Sequence, residues 1–294
     1  MWLLLAALSA IAFGVRGMLY HHTSQRRLER SLLLAGVFSC GAILCLIIGL
    51  ASGDSWSGNT FVGILMGCCS FVANLSMFRG FAVGKASVVA ILTALPPVVV
   101  ASMAYMIWGE RLTVWQLMSI VIIVSGILIV RYAKEFSLSH LEGAKWGLLA
   151  MLFFGFNDMS SKWSTMLGAD TFPTLFWMFA TGAVLFLAAW RLERRGAAST
   201  ARRQKPSTEG EAPWGSGRTF GVGLMIGTTN AIGMVLLLNA FAVGVTGLVS
   251  AVVALNVLLI LLYTRLVVKE RFTPRELSGM ALALAGVLLL RLLG

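Results

Sequence analysis

Charge is the scarcest property of this chain. Only 12% of its residues are Asp, Glu, Lys or Arg, against 58% hydrophobic, and an ordinary soluble protein carries about twice that charged share. With long apolar runs recurring throughout, the chain reads as an integral membrane protein. Acidic residues are fewer than basic ones, 12 against 23, for a formal charge of +11. That excess raises nucleic acid as a partner, but the basic residues sit in the gaps between apolar runs, where they report membrane topology and argue against a nucleic-acid face. The four cysteines, Cys40, Cys45, Cys68 and Cys69, all lie inside apolar runs and form neither a disulfide framework nor a metal-ligand spacing. The tandem His21-His22 has no carboxylate at ligand spacing, and neither His-Glu-x-x-His nor Gly-x-Ser-x-Gly occurs. An enzyme, a metal site and a cofactor are therefore not expected.

What is present is one stretch that occurs twice. Phe81 to Arg131 lies in ungapped register with Phe241 to Arg291, and Phe-Ala-Val-Gly opens both copies. Glu110-Arg111-x-Thr113 meets Glu270-Arg271-x-Thr273, Leu117 meets Leu277, and Gly126 meets Gly286. The same register pairs Gly63 with Gly223 and Gly67 with Gly227. Apolar composition alone does not align charged, Thr and Gly positions, so the chain is read as a duplicated unit.

At about 20 residues per crossing, the apolar runs predict ten transmembrane helices near 2–20, 31–51, 60–80, 86–108, 113–131, 144–164, 171–190, 218–241, 245–268 and 274–293. The fold expected is all-α, in two five-helix repeats spanning residues 1–138 and 139–294. Trp2, Trp108, Trp115, Trp146 and Trp190 fall at helix ends, where indoles favour the interface. Met1 to Tyr20 has no basic residue before its apolar run, so it is expected to be a retained helix rather than a signal peptide.

Loop charge sets the orientation. After the odd-numbered helices come Arg26, Arg27 and Arg30; Arg79 and Lys85; Arg131, Lys134 and Lys145; a basic run from Arg191 to Arg218; and Lys269, Arg271 and Arg275. The even loops offer only Arg111 and Lys162. Odd loops are thus expected in the cytosol and both termini on the periplasmic or extracellular side, in a multi-pass protein of the bacterial inner membrane type. Arg79 and Lys85 become Asn239 and Val245 in the second copy, while Arg111 gains the basic neighbours Lys269 and Arg275. The charge bias reverses between copies, which reads as an inverted-topology repeat. The segment 191–217 is basic and rich in Gly, Ala, Ser, Thr and Pro, the composition of a cytosolic loop.

Ten helices in two halves, a Phe-Gly turn in the first helix of each (Phe13-Gly14, Phe154-Gly155) and the helix-ending Gly-Glu-Arg-Leu-Thr at Gly109 to Thr113 resemble the EamA-like transporters of the drug/metabolite transporter superfamily. The resemblance covers essentially the whole chain. It implies two halves around a central solute pathway and secondary transport of a small organic solute. Members often carry Pro in the middle of helix 9, where this chain has Asn256 opposite Pro96. Asn256 is therefore a candidate for specificity.

The residues give further candidates. Asp158 lies about 20 Å into its helix from Lys145 at about 1.5 Å per residue, a depth at which an ionisable group is functional by default. Lys162, one turn on, is expected to neutralise it, and the pair is the candidate for proton coupling. Arg16 aligns with Asn157 when the Phe-Gly pairs are superposed; its guanidinium can fork onto a carboxylate or phosphate, or snorkel to the interface. Asn74 and Asn230 lie in helices that line the cavity in the resembling family, and Trp177 is a candidate stacking wall or a core residue. Pro96-Pro97 interrupts helix 4 and marks the centre of the pathway. Thr113-x-x-Gln116 and Thr273-Pro274-x-Glu276 are capping boxes, with Glu110 and Glu270 expected as structural hairpin residues before them.

The expected function is export of an amino-acid-like or amphipathic metabolite by alternating access. A non-transporting scaffold or sensor on the same fold is the competitor, told apart by a dry interior. Lipid and the solute are the expected partners, and homo-oligomerisation is open.

Overall fold

Lipid cannot bond to backbone amides, so a chain this apolar has to satisfy them within its own segments, as helices do. The computed structural model describes residues 1–24, 28–83, 86–131, 142–201, 214–267 and 273–293, and among them every regular element is helical. The first half runs α1 (Trp2–Ser24), α2 (Arg30–Ser52), a 3₁₀ turn (Gly58–Phe61), α3 (Val62–Val83), α4 (Ala86–Leu92), α5 (Pro96–Trp108) and α6 (Val114–Arg131). The second runs α7 (Glu142–Met166), α8 (Thr171–Ala201), α9 (Ser216–Val243), α10 (Thr246–Val253), α11 (Asn256–Val267) and α12 (Pro274–Leu293).

Eight helical stretches are long and apolar enough to cross a membrane, and Val114–Val130 is a shorter apolar helix. Two of the eight, Val88–Trp108 and Thr246–Tyr263, are broken helices, formed by α4 with α5 and by α10 with α11. The helix α7 is not among the eight. It carries Lys145, Asn157, Asp158 and Lys162 and packs on α3, α4, α5, α9 and α10, so it needs less lipid-facing surface. Elsewhere large apolar side chains such as Met106, Val114, Met225 and Leu292 are exposed, the outward face a bilayer solvates.

The packing exchanges partners between halves. Helix α3 lies on α7 and α8, while α9 lies on α1 and α2; likewise α5 packs on α7 and α11 on α1. Glycines set the closest approaches. A Cβ on Gly67 would lie 2.6 Å from the Met178 carbonyl of α8, and one on Gly227 would lie 2.6 Å from the Val37 carbonyl of α2. The two Gly-xxx-Gly pairs are thus matching seams. Gly126 makes a third, with a Cβ there 2.5 Å from the Ala283 nitrogen between α6 and α12.

Three expectations are corrected. Helix 9, read as continuous over 245–268, stops at Val253 and restarts at Asn256, matching the break before Pro96 in the first half. Tight bonds replace the ladder at both breaks: Leu95 N–H to Leu92 C=O at 3.1 Å, and Leu255 N–H to Val252 C=O at 3.1 Å. Proline accounts for the first break. The second has none, and there every residue of α10 is buried, so packing directs the segment. Secondly, Phe13-Gly14 and Phe154-Gly155 are not turns but lie within α1 and α7. Their glycines admit neighbours: a Cβ would lie 2.9 Å from Leu259 Cβ at Gly14 and 2.9 Å from Val99 Cγ1 at Gly155. Thirdly, the expected loop from residue 191 is helical as far as Ala201 in the 31-residue α8. Glu193 accepts a hydrogen bond from Ser31 Oγ at 2.8 Å and Arg194 lies 3.6 Å from Glu29, anchors that hold this segment against α2. The expected repeat boundary at 138/139, Glu270 and the rest of that loop up to residue 213 lie outside the described residues.

Candidate functional site

The two helix breaks face a common cavity of about 340 Å³, within the range of about 300–1,000 Å³ typical of small-molecule sites. Arg16, Asn74, Pro96, Asn157, Asp158, Asn230 and Asn256 all line it, with Phe13, Phe38, Phe154, Met178 and Met234 forming apolar wall. Asn256 opens α11 as Pro96 opens α5, so broken backbone meets the cavity from both halves, the arrangement in which irregular backbone is tolerated at membrane depth.

The polar wall is built twice. In one contact between the halves, Asn157 of α7 accepts a hydrogen bond at Oδ1 from Ser70 Oγ of α3 at 3.0 Å. In the other, Arg16 of α1 donates through Nη1 to Asn230 Oδ1 of α9. Arg16 aligns with Asn157 and Ser70 with Asn230 under the sequence repeat, so this is one contact made in duplicate. The copies have diverged in charge: Asn157 is buried and neutral in its pair, whereas Arg16 brings a cation. Its guanidinium carbon lies 4.5 Å from the Phe13 ring centroid and 5.8 Å from that of Tyr20. The buried Arg16 Nε has no hydrogen-bond partner, and no carboxylate reaches the group among the described residues. Asn74 Nδ2 donates to the Ser70 carbonyl of its own helix at 2.8 Å.

Asp158 faces the same cavity and interacts with Ser250 Oγ of α10 at 2.6 Å. The expected pairing with Lys162 is not made. Lys162 Nζ instead donates to the carbonyls of Phe241 at 2.8 Å and Gly244 at 3.1 Å and lies 4.0 Å from Glu110 Oε1. The physical reason is the end of α9, whose last carbonyls lack intrahelical donors and attract a cation.

Glu110 does more than shape its own corner. Its carboxylate accepts the Thr246 N–H at 2.9 Å and Thr246 Oγ at 2.7 Å, capping α10, whose own N-cap residue Val245 makes no side-chain cap. The α5–α6 corner is thereby tied to α7 and α10. Thr113 and Gln116 cap α6 reciprocally, at 3.0 and 3.2 Å, and Thr273 and Glu276 cap α12, at 2.8 and 3.3 Å. Trp177 lies outside the cavity. Near the start of α8, it packs tilted against Phe61 at 5.0 Å and edge-to-face with Phe176 at 5.3 Å between ring centroids, in an aromatic group by the 3₁₀ turn.

Sequence reasoning missed Ser250 and Thr246, the partners of Asp158 and Glu110, and the cavity-lining Phe13 and Phe154. Thr246 follows Gly244 at a helix start, a local signal that was available. Ser250 carried none, because only the break beyond it turns α10 toward α7.

Helices with apolar outer faces around a cavity of mixed lining at two broken helices are the architecture of a multi-pass membrane protein. The family model of the EamA-like transporter family matches residues 1–132 and again 141–292, and the chain belongs to that family, within the drug/metabolite transporter superfamily. A solved structure titled only as the crystal structure of a protein aligns over 99% of this chain and 96% of its own, with TM-score 0.75 and 16% identity, a likeness of fold. No match was found among curated proteins.

Proposed function

We propose that this chain is a secondary transporter that moves a small amphipathic organic solute across a bacterial inner membrane, in the export direction, by alternating access. Ten crossings in two inverted five-helix repeats are the architecture of the proposal, with α4–α5 and α10–α11 each counted as one crossing. The observation that carries it is the duplicated polar wall: each half contributes one member of both contacts, Ser70–Asn157 and Arg16–Asn230. A site shared in this way is rebuilt whenever the halves rock against each other.

The orientation read from loop charge supports one state. The cavity reaches Tyr20 and Phe81, toward the cytosolic ends of α1 and α3. On the opposite side Glu110, Lys162 and Thr246 join the halves. We read this as the inward-open state, with the Glu110 cluster as the closed outer latch. Asp158 is the proton-coupling group in this reading and Lys162 belongs to the latch. A dry scaffold is disfavoured by the buried, unpartnered Arg16 Nε, a group that asks for a polar occupant.

The test compares metabolites inside and outside cells expressing wild type or Asp158→Asn, at two external pH values. Wild type is expected to redistribute one compound class with a pH-dependent rate, and the variant to lose that pH dependence. Normal transport with unchanged pH dependence in Asp158→Asn removes the coupling assignment. If wild type redistributes nothing, and Asn74→Cys and Asn230→Cys in a cysteine-free background resist a water-soluble maleimide, the interior is dry and the transport reading fails.

A further inference from the structure

A second cavity, of about 380 Å³, lies between α2, α3 and α8 and shares no lining residue with the central one. In the orientation read from loop charge it sits at the cytosolic ends of these helices. Leu34, Leu75, Phe78 and Phe186 give it an apolar floor, and Arg30 and Arg79 stand at its rim. Both carboxylates in its wall are engaged. Glu29 accepts hydrogen bonds from Trp190 Nε1 at 2.9 Å and Ser216 Oγ at 3.3 Å, and lies 3.6 Å from Arg194. Glu193 accepts one from Ser31 Oγ at 2.8 Å. Arg30 and Arg79 are exposed and lie over rings, at 5.5 Å from Phe78 and 5.2 Å from Trp146, with no ion-pair partner among the described residues.

The repeat supplies a control for this cavity. Superposing the Phe-Gly pairs sets Glu29 opposite Asp170, Arg30 opposite Thr171, Ser31 opposite Phe172 and Trp190 opposite Gly49. Glu29 and Asp170 each precede the second helix of their half, and each reaches the other half, since Asp170 accepts the Ser55 N–H at 2.7 Å. The two ends of the α2–α8 pair are thus built alike, but they are filled differently. At the outer end Phe172 packs against the helix at Gly49, where a Cβ would lie 3.2 Å from Phe172 Cβ. At the inner end the small Ser31 leaves a hollow, and arginines replace Thr171 and, in the register of the longer repeat, Asn239. The bias of basic residues toward the cytosol accounts for the arginines, but it does not account for a hollow beneath them.

We propose that this crevice binds an anionic phospholipid of the cytosolic leaflet, with its phosphate at Arg30 and Arg79 and an acyl chain along the Leu34, Leu75, Phe78 and Phe186 floor. Guanidinium groups suit phosphate oxygens in number and geometry, and basic pockets between helices on the cytoplasmic side are where anionic headgroups are held. A soluble phosphate would match the arginines and leave the floor in water, whereas a lipid answers both surfaces. The lipid touches α2 and α3 of one half and α8 of the other, so it joins the halves at their inner end.

The experiment delipidates the purified full-length protein, adds back dioleoyl-phosphatidylglycerol or dioleoyl-phosphatidylcholine, and reads retained lipid by native mass spectrometry and stability by thermal unfolding. Inorganic phosphate is the soluble probe. Wild type is expected to retain phosphatidylglycerol over phosphatidylcholine and to melt higher with it, and to be unaffected by inorganic phosphate. Arg30→Gln and Arg79→Gln should each weaken retention about fivefold, the scale for one basic residue at an anionic membrane surface. Ser31→Phe, which gives the inner end the side chain of the outer one, should expel the lipid with every arginine in place. A melt without lipid shows whether Ser31→Phe folds, and Leu75→Trp fills the same hollow from α3 where it does not. Equal retention of the two lipids, retention of neither, or stabilisation by inorganic phosphate equal to that by phosphatidylglycerol overturns the site. So does unchanged retention in a folded filling variant or in the double arginine variant, because the lipid then lies elsewhere. None of these outcomes bears on the transport reading, which rests on the central cavity.

Discussion

Replacing Glu110 with Ala tests the outer latch most directly. The substitution removes two charge-assisted hydrogen bonds, from Thr246 N–H at 2.9 Å and Thr246 Oγ at 2.7 Å, and one loose ion pair to Lys162 at 4.0 Å. The first bond is the N-cap of α10, and losing such a cap costs about 1 kcal/mol. The second, to a largely buried carboxylate, contributes about 1.5–3 kcal/mol. The ion pair adds roughly 0.5 kcal/mol at most. Because Lys162 keeps its bonds to Phe241 and Gly244, the total loss is about 3 kcal/mol. At about 1.4 kcal/mol per factor of ten, this shifts the balance between closed and open outer faces roughly a hundredfold, if the latch exists in one state alone. Ala101 is a suitable reporter: it faces α10, where a Cβ on Gly247 would lie 2.8 Å from Ala101 Cβ, between the latch and the cavity. In a cysteine-free background, Ala101→Cys should react with a membrane-impermeant maleimide added outside far faster when Glu110 is Ala. An unchanged rate in a folded, inserted protein refutes the latch and leaves Glu110 as a local cap.

Glycines two residues apart on α9 give a second test. A Cβ at Gly223 would lie 3.0 Å from Gly36 Cα and closer to the Leu33 carbonyl, whereas nothing lies within 4 Å of one at Gly221. Gly223→Ala should lose about 1–3 kcal/mol by overpacking, and Gly221→Ala should be neutral or gain up to about 1 kcal/mol from helix propensity; thermal melts in detergent that rank them the other way would contradict the α2–α9 seam. The Ser70–Asn157 bond should show a coupling of about 0.6 kcal/mol, and no more than about 1.7, in a double-alanine cycle. A Thr273→Val substitution should cost about 1 kcal/mol by removing the α12 cap, whereas the same change at Thr246 should also raise Ala101→Cys labelling, since only Thr246 joins the halves.

Sequence by itself determined the class. Scarce charge and long apolar runs leave helices as the way to satisfy backbone bonds in lipid, and a register that aligns Gly, Thr and charged positions reveals duplication without coordinates. Local chemistry was equally legible: Thr113 with Gln116 and Thr273 with Glu276 are decided within four residues, and Pro96-Pro97 breaks its helix wherever it is placed. The tertiary structure decided what depends on which helix faces which. Asp158 and Lys162 are ideally spaced to pair on an isolated helix, yet the bare carbonyls at the end of α9 outcompete Asp158 for the ammonium. The break before Asn256 has no proline to announce it and follows from the burial of α10. Glu110 finds its partner in the other half, at Thr246. Arg16 and Asp158 line one cavity without pairing because α1 and α7, far apart in sequence, occupy corresponding places in a duplicated packing scheme. Contacts of this kind are set by the geometry of assembled helices, and no window of sequence contains both partners.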